Sequence, residues 1–320
     1  MTVSNSIGVD VGGTKILAGL VDDAGNVLTT ARRPTPAHDP AAVLAVVAEV
    51  VRELMAESAA PVVGVGLGIA GQVENTRSTV LWAPNLKWSR VEVRAILEAD
   101  LGITVIAEND ANAAAWGEFV FGAGADVDDL TVVTVGTGIG GGVIVGGTML
   151  RGATGGAAEI GHITVVPGGR QCGCGRLGCW EQYGSGTALV RQARELAVER
   201  PAEASLLLSL GDGTPEGVQG LHLTQAAIAG DPVAVEAFRI CGEWLGTGLA
   251  DLTAVLDPAA FVISGGVSEA GDLLLDPARR RLAEQMPGGD LRPMPQIRVA
   301  SLGNDAGLIG SADIARRAAL

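Results

Sequence analysis

Residues 130–150, "LTVVTVGTGIGGGVIVGGTML", decide how this chain is read. A β-branched run leads into a Gly/Thr turn, and a second such run, broken by glycine, leads out. That pattern is strand, tight turn, strand. Residues 136–141, "GTGIGG", also satisfy the G-x-G-x-x-G spacing of dinucleotide-binding turns. Such a turn must open a helix, so that the pyrophosphate meets the helix N-terminus. The following "GVIVGGTML" is poor helix and good strand, which places the motif in a hairpin instead. The opening segment "SIGVDVGGTKILAGLVDDAGNVL" (6–28) has the same outline around Gly12, Gly13 and Thr14, and residues 9–13 align with residues 133–137. A repeat of this size predicts two α/β lobes of related architecture with an interlobe cleft, where the two turns can face one ligand.

The remaining chain fits that plan. A helix is expected over 41–57, a buried strand over 62–71, a helix over 88–102 ("WSRVEVRAILEADLG"), a strand over 103–110 and a helix over 111–124. After the second hairpin come helices over 186–199 and 231–256, a loop over 210–220 and a strand over 259–266. The closing "AGLIGSADIARRA" reads as a helix that returns to the first lobe. The expected division is a small lobe of residues 1–112 with 306–320, and a large lobe of residues 113–305.

Bulk properties remove several function classes. Three hundred and twenty residues suffice for two cores. A formal charge of −14 argues against duplex nucleic acid or an anionic membrane as partner. It leaves phosphate binding open, since backbone N–H groups hold phosphates without net positive charge. The most apolar stretch, 41–57, is interrupted by Glu49, Arg52 and Glu53, so it reads as a buried helix and not a membrane span. No secretory signal is read at the start. With three of four cysteines in one short segment, a reducing cytoplasm is the expected location.

Three groups of residues carry candidate chemistry. Both Gly/Thr turns (Gly12, Gly13, Thr14; Gly136, Thr137, Gly138) expose backbone N–H groups and a threonine hydroxyl that can wrap a phosphate tail, although a hairpin without a ligand has the same sequence. Asp10, at a strand end beside the first turn, either holds Mg2+ or accepts turn N–H bonds. Asp110, in "AENDANAAAWGE", is placed either as a helix N-cap or as a general base at the carboxyl end of a strand. His162, Cys172, Cys174 and Cys179 form H-x9-C-x-C-x4-C, which spacing alone leaves open between a metal site and buried reduced thiols. Cys241 reads as core, and Arg170 and Arg176 as solvated loop charges.

"IGVDVGGTK", "ENDANAAAWGE", "TVGTGIGGGVIVGG" and "GHITVVPGGRQCGCGRLGCWEQY" occur in the order and spacing of the ROK (repressor, open reading frame, kinase) sugar kinases. "TVLWAPNLKW", "GCWEQY" and "ENDANAAAWGEFVFGAG" further resemble the actinobacterial ATP-dependent glucokinases. The resemblance implies two ribonuclease-H-like, actin-type ATPase lobes and transfer of the γ-phosphate of Mg·ATP to the 6-hydroxyl of glucose. It implies Asp110 as base, Asn109, Glu159, His162 and Glu181 as sugar ligands, and Gly71 and Asn85 lining the same pocket. Gly12, Gly13, Thr14, Lys15, Gly136, Thr137 and Gly138 would surround the phosphates, with Gly265 and Gly266 near the adenosine. The cysteine cluster is a zinc site in the family, and a closed Cys3His set makes that zinc structural. Fixing His162 and Cys179 to one ion would pin Glu159 and Glu181. Ala158 and Ser264 depart from the pattern, since both stand where many members have glycine. Polyphosphate as donor, and another hexose or an N-acetylhexosamine as acceptor, are the alternatives within the family. A sugar-sensing repressor is disfavoured, because the first turn begins too near Met1 to leave room for a helix-turn-helix. Homodimers or tetramers are the expected assemblies.

Overall fold

The computed structural model of the chain describes residues 4–36 and 39–320. Two compact units form: the described residues of Met1–Val132 with Gly142–Ala158 and Ala300–Leu320, and Val133–Gly141 with Glu159–Val299. Residues 113–132, 142–158 and 300–305 therefore cluster with the first unit, which is larger than the lobe of 1–112 with 306–320 read from the sequence.

The chain begins as three antiparallel strands, β1 (Asn5–Val11), β2 (Lys15–Val21) and β3 (Val27–Pro34). Helix α1 (Pro40–Glu57) follows, started by Asp39, whose side chain accepts the Ala41 N–H, and by Pro40 in the first turn. Its stripe of Val43, Leu44, Val47, Val50, Val51 and Leu54 is fully buried. Strand β4 (Val62–Ile69) runs parallel to β1. A small sheet of β5 (Gln72–Val73), β6 (Val80–Ala83) and β7 (Trp88–Val91) comes next, then α2 (Val93–Leu101), β8 (Thr104–Asn109) and α3 (Asp110–Phe121). Residues 88–91 are thus a strand and not the first turn of the expected helix. Trp88 and Val91 are buried and pair with Ala83 and Val80. Cross-strand packing of the tryptophan outweighs the helical spacing of its neighbours.

The second round repeats the first. Strands β9 (Leu130–Val135), β10 (Ile139–Val145) and β11 (Thr148–Met149) precede a helical stretch. That stretch is α4 (Glu181–Gly184), α5 (Gly186–Glu199), α6 (Ser205–Leu210), α7 (Gly220–Ile228) and α8 (Pro232–Leu256). Strand β12 (Ala260–Ser264), α9 (Asp272–Gln285), β13 (Gln296–Val299) and α10 (Ala306–Ala319) complete the chain. The sheets are ordered β3-β2-β1-β4-β8 and β11-β10-β9-β12-β13. Counted within each five-stranded sheet, both read third, second, first, fourth, fifth strand, so the repeat seen in the hairpins extends to both sheets.

Each unit has its own apolar core, one around Ile7, Val47, Leu67 and Trp88, the other around Trp180, Phe238, Leu245 and Phe261. Helix α10 lies on β1 and β4 at backbone contact. A Cβ on Gly8 or Gly66 would stand 1.9 Å from the Leu308 carbonyl or 1.8 Å from that of Ser311. Only glycine permits that approach. Among the described residues no helix is long and apolar enough to cross a membrane.

Candidate active site and zinc cluster

Strands β1, β4 and β8 are parallel, so their carboxyl ends gather on one edge of the first sheet. Asp10 stands level with Gly68, which stands level with Glu108, and Ile69 faces Asn109. Open α/β sheets bind ligands at this edge. The helix cap there belongs to Asn109 and not to Asp110: the Asn109 side chain accepts the Asn112 N–H at 3.0 Å. Asp110 is instead the first helical residue. Its Oδ1 accepts from Asn109 Nδ2 and from the Ala111 N–H, each at 3.0 Å. Burial raises the Asp110 carboxyl above its ordinary value against these bonds. Asp10 is raised too, first by burial and then by the charge of Asp110, with Lys15 opposing. Two half-buried carboxylates whose charges oppose each other form a donor set of the kind that suits a divalent cation.

Other expected residues of the first unit converge here. Asn109 Nδ2 also donates to the Gly71 carbonyl at 3.1 Å. Gly71 has no room for a side chain, since its Cβ would meet Trp82 O at 2.4 Å. Asn85 sits in the 3-10 turn Pro84–Leu86, and its carbonyl lies 3.1 Å from where a Cβ on Gly13 would be. The Gly12–Lys15 turn is closed by Gly12 N–H to Lys15 O at 3.0 Å and by Thr35 Oγ1 to Gly12 O at 2.6 Å, leaving Thr14 and Lys15 exposed.

Glu108 escaped notice in the sequence beyond ending a strand. It is 1% exposed and ion-paired through Oε2 to Arg77 at 3.0 Å and Arg151 at 2.9 Å. Its Oε1 accepts the Asn109 N–H at 2.9 Å and Asn112 Nδ2 at 3.2 Å, so it steadies the start of α3. Both arginines are distant in sequence, and no local motif points to them.

In the second unit His162 ends a 3-10 turn (Ile160–His162) whose preceding residue is Glu159, and the three cysteines lie on a tight hairpin. Cys172 N–H bonds to Arg176 O at 2.9 Å, and Gly175 N–H to Cys172 O at 3.0 Å. The ligand atoms of His162, Cys172, Cys174 and Cys179 all lie within 4.8 Å of one another. Cys174 Sγ to Cys179 Sγ and Cys172 Sγ to His162 Nδ1 are each 3.6 Å. Tetrahedral zinc with ordinary bond lengths requires about 3.8 Å between sulfurs and about 3.6 Å between sulfur and nitrogen, so the donor set fits zinc. Burial first, then the hydrogen bond to Glu181, pushes the Cys172 thiol up to about 12, a proton that metal binding displaces. Arg176 is not a free loop charge: it donates to His162 O at 3.1 Å and Thr164 Oγ1 at 3.0 Å, tying both sides of the cluster. Arg170 pairs with Glu195 at 3.0 Å.

Glu181 opens α4 directly after Cys179 and Trp180. Trp180 is fully buried, donates Nε1 to Trp244 O at 2.7 Å and fills the space that Gly248 leaves on α8. The cluster and this wedge fix Glu181 from two directions, and its Oε1 lies 3.8 Å from His162 Nδ1. Ala158 adopts a left-handed φ of 66°, a conformation that glycine takes without strain. Ser264 precedes the residue that needs positive φ, Gly265 at 87°, so serine is tolerated there.

The second Gly/Thr turn borders a cavity of about 720 Å3, lined in part by Gly136, Thr137, Thr187, Arg194, Thr224 and Gly266. Gly186 N–H bonds to Gly136 O at 2.8 Å and Thr187 Oγ1 to Thr137 O at 2.7 Å, which seats the turn on the start of α5. Gly138 and Gly265 are outside the lining, while α5 and α7 contribute walls that the sequence did not reveal.

The ROK family profile matches residues 6–318. The chain belongs to the ROK family. It is 50% identical over 311 residues to a glucokinase of Streptomyces coelicolor, covering 97% of each chain. A ROK family glucokinase of Streptomyces griseus, solved in complex with glucose and AMPPNP, superposes with a TM-score of 0.85 at 48% identity, over 98% of this chain and 99% of that one. A ROK hexokinase of Thermus thermophilus gives 0.80 at 34% identity, over 98% and 99%. The fold is accordingly the duplicated actin-type ATPase fold of ROK kinases.

Proposed function

We infer that this chain is an ATP-dependent glucokinase, which transfers the γ-phosphate of Mg·ATP to the 6-hydroxyl of D-glucose and releases glucose 6-phosphate and ADP. The likeness to glucokinases extends over nearly the whole chain. The observation that carries the chemistry is Asp110, an uncapped carboxylate at the carboxyl end of β8 with a raised affinity for a proton. The 6-hydroxyl attacks the γ-phosphorus, the bond from phosphorus to the β–γ bridging oxygen breaks, and Asp110 takes the hydroxyl proton. Asn109 holds that carboxylate and a sugar hydroxyl. Gly71, Asn85, Glu159, His162 and Glu181 are assigned to the remaining hydroxyls. Gly12, Gly13, Thr14, Lys15, Gly136, Thr137 and Gly138 are assigned to the phosphates, and Gly265 and Gly266 to the adenosine side. Asp10 would hold the magnesium that accompanies the nucleotide, an ion that would supply charge neutralisation at the phosphates. His162, Cys172, Cys174 and Cys179 would hold a structural zinc with protein donors alone, which would keep His162 and Glu181 in place.

A coupled assay crossing glucose, mannose, fructose and N-acetylmannosamine with ATP and polyphosphate tests the reading. The highest kcat/KM is expected for glucose with ATP. A preference for polyphosphate or for another sugar overturns the substrate assignment and leaves the sugar-kinase class standing. We place the reaction in the cytoplasm, in a homo-oligomer whose mass light scattering would give.

A further inference from the structure

We propose that the first unit carries a second small-molecule site, a pocket for a small phosphate monoester, one ion pair away from the strand that leads to Asp110. A cavity of about 290 Å3 is lined by Arg77, Trp116, Thr148, Met149, Ile314 and Arg317 among others, and no lining residue is acidic. This is the small end of ligand-pocket sizes, suited to a phosphate on a short carbon chain.

Two buried carboxylates flank the cavity, and each is shared by two guanidiniums. Glu108, 1% exposed, pairs with Arg77 and Arg151. Asp313, 2% exposed, pairs with Arg316 and, at 2.6 Å, with Arg317, while Trp116 Nε1 donates to it at 2.8 Å. Each cluster therefore holds one positive charge that its carboxylate does not match. Two such charges on one cavity stand out in a chain of formal charge −14. Burial, with Arg151 adding and Glu108 opposing, pulls Arg77 below its ordinary value, which is the condition an incoming anion would relieve. Arg317 lies over the Trp116 ring at 5.3 Å, so its plane is held and its remaining N–H groups are available to a phosphate fork. Trp116, Met149 and Ile314 supply apolar wall for the carbon skeleton.

The pocket has a route to the reaction. Arg77 O accepts the Ala107 N–H at 3.0 Å, and Glu108 accepts the Asn109 N–H at 2.9 Å. An anion that draws the Arg77 guanidinium away from Glu108 loosens the start of α3 and shifts kcat. Binding is independent of the assignment of Asp110, whereas this kinetic consequence rests on it.

The test is calorimetric titration of glycerol 3-phosphate into the full chain, saturated with glucose and AMPPNP so that the reaction site is filled, with glycerol as the neutral control. Saturable binding of the ester and none of glycerol is expected. Arg317→Gln should weaken it about tenfold or more, the scale of a lost charge-assisted hydrogen bond. Ala318→Glu, a substitution on the exposed end of α10, should weaken it comparably by repulsion without touching the core. Absence of saturable binding, or equal affinity in wild type and in Ala318→Glu, overturns the proposal.

Discussion

Asp110→Asn separates a catalytic carboxylate from a structural one, because the two roles predict opposite changes in stability. Helix α3 is capped by Asn109, and the two bonds that Asp110 accepts can be accepted by an amide oxygen as well. The substitution therefore removes a charge and little else. Burial opposes that charge, and the charge in turn raises Asp10. Against this stands the attraction of a carboxylate to a helix N-terminus, about 0.3–1 kcal/mol. The Asp110 carboxyl nevertheless ends above its ordinary value, so the burial cost exceeds the attraction and the neutral variant is the more stable. Every tenfold gain in proton affinity on folding corresponds to about 1.4 kcal/mol, and 1 kcal/mol moves Tm by about 2–4 °C in a unit of this size.

The dependence on pH has a definite sign. A carboxyl whose folded pKa is raised favours folding fully below its ordinary value of 3.8 and loses that contribution as pH rises through the folded value. The Tm advantage of Asp110→Asn is thus absent at the acid end and grows toward neutrality. Loss of a general base lowers kcat by about 100- to 10,000-fold, while KM for glucose stays within about one order of magnitude. Thermal unfolding across pH, paired with the coupled assay, reads both quantities. A fall in Tm near neutral pH together with kcat would make Asp110 a structural residue, and a retained kcat would remove it from the mechanism.

Three further outcomes follow from the geometry. Metal analysis should find one zinc per chain; its removal, or Cys174→Ser, should lower Tm and raise the KM for glucose, and unchanged kinetics without metal would refute the supporting role of the cluster. Ala158→Gly relieves a φ of 66° and should stabilise the chain by about 0.5–1 kcal/mol in denaturant unfolding, after allowance for the entropy glycine gains when unfolded; a loss of stability would mean that the methyl group matters more than the strain. Glu118→Ala strips the acceptor from the N–H groups of Ala123, Ser301 and Leu302, each worth about 1–3 kcal/mol when left bare, so a loss of at least about 3 kcal/mol is expected and a loss below about 1 kcal/mol would contradict it.

What could be read from the sequence is what short stretches specify. A Gly/Thr turn between β-branched runs has one sensible conformation, and two of them define the repeat that both five-stranded sheets obey. The cysteine hairpin is equally local: its turns bring three donors together, and the bridge between Thr164 and Cys179 sets His162 beside them. Elements whose identity depends on a distant partner are not specified by their own stretch of sequence. Trp88 belongs to a strand only because β6 offers it a buried neighbour. Helix α9, which carries Pro277 inside it and is rich in arginine, shows too little apolar pattern to be recognised before α8 is placed against it. The choice of Asn109 over Asp110 as cap depends on Gly71 O and Glu108 holding that asparagine, and Glu108 depends in turn on arginines from two other loops. Motifs thus place the reacting groups, while the residues that set their protonation and aim come from long-range pairing, where single-sequence reasoning has no purchase. For that reason the test of this site lies in how Asp110 titrates and not only in which residue occupies position 110.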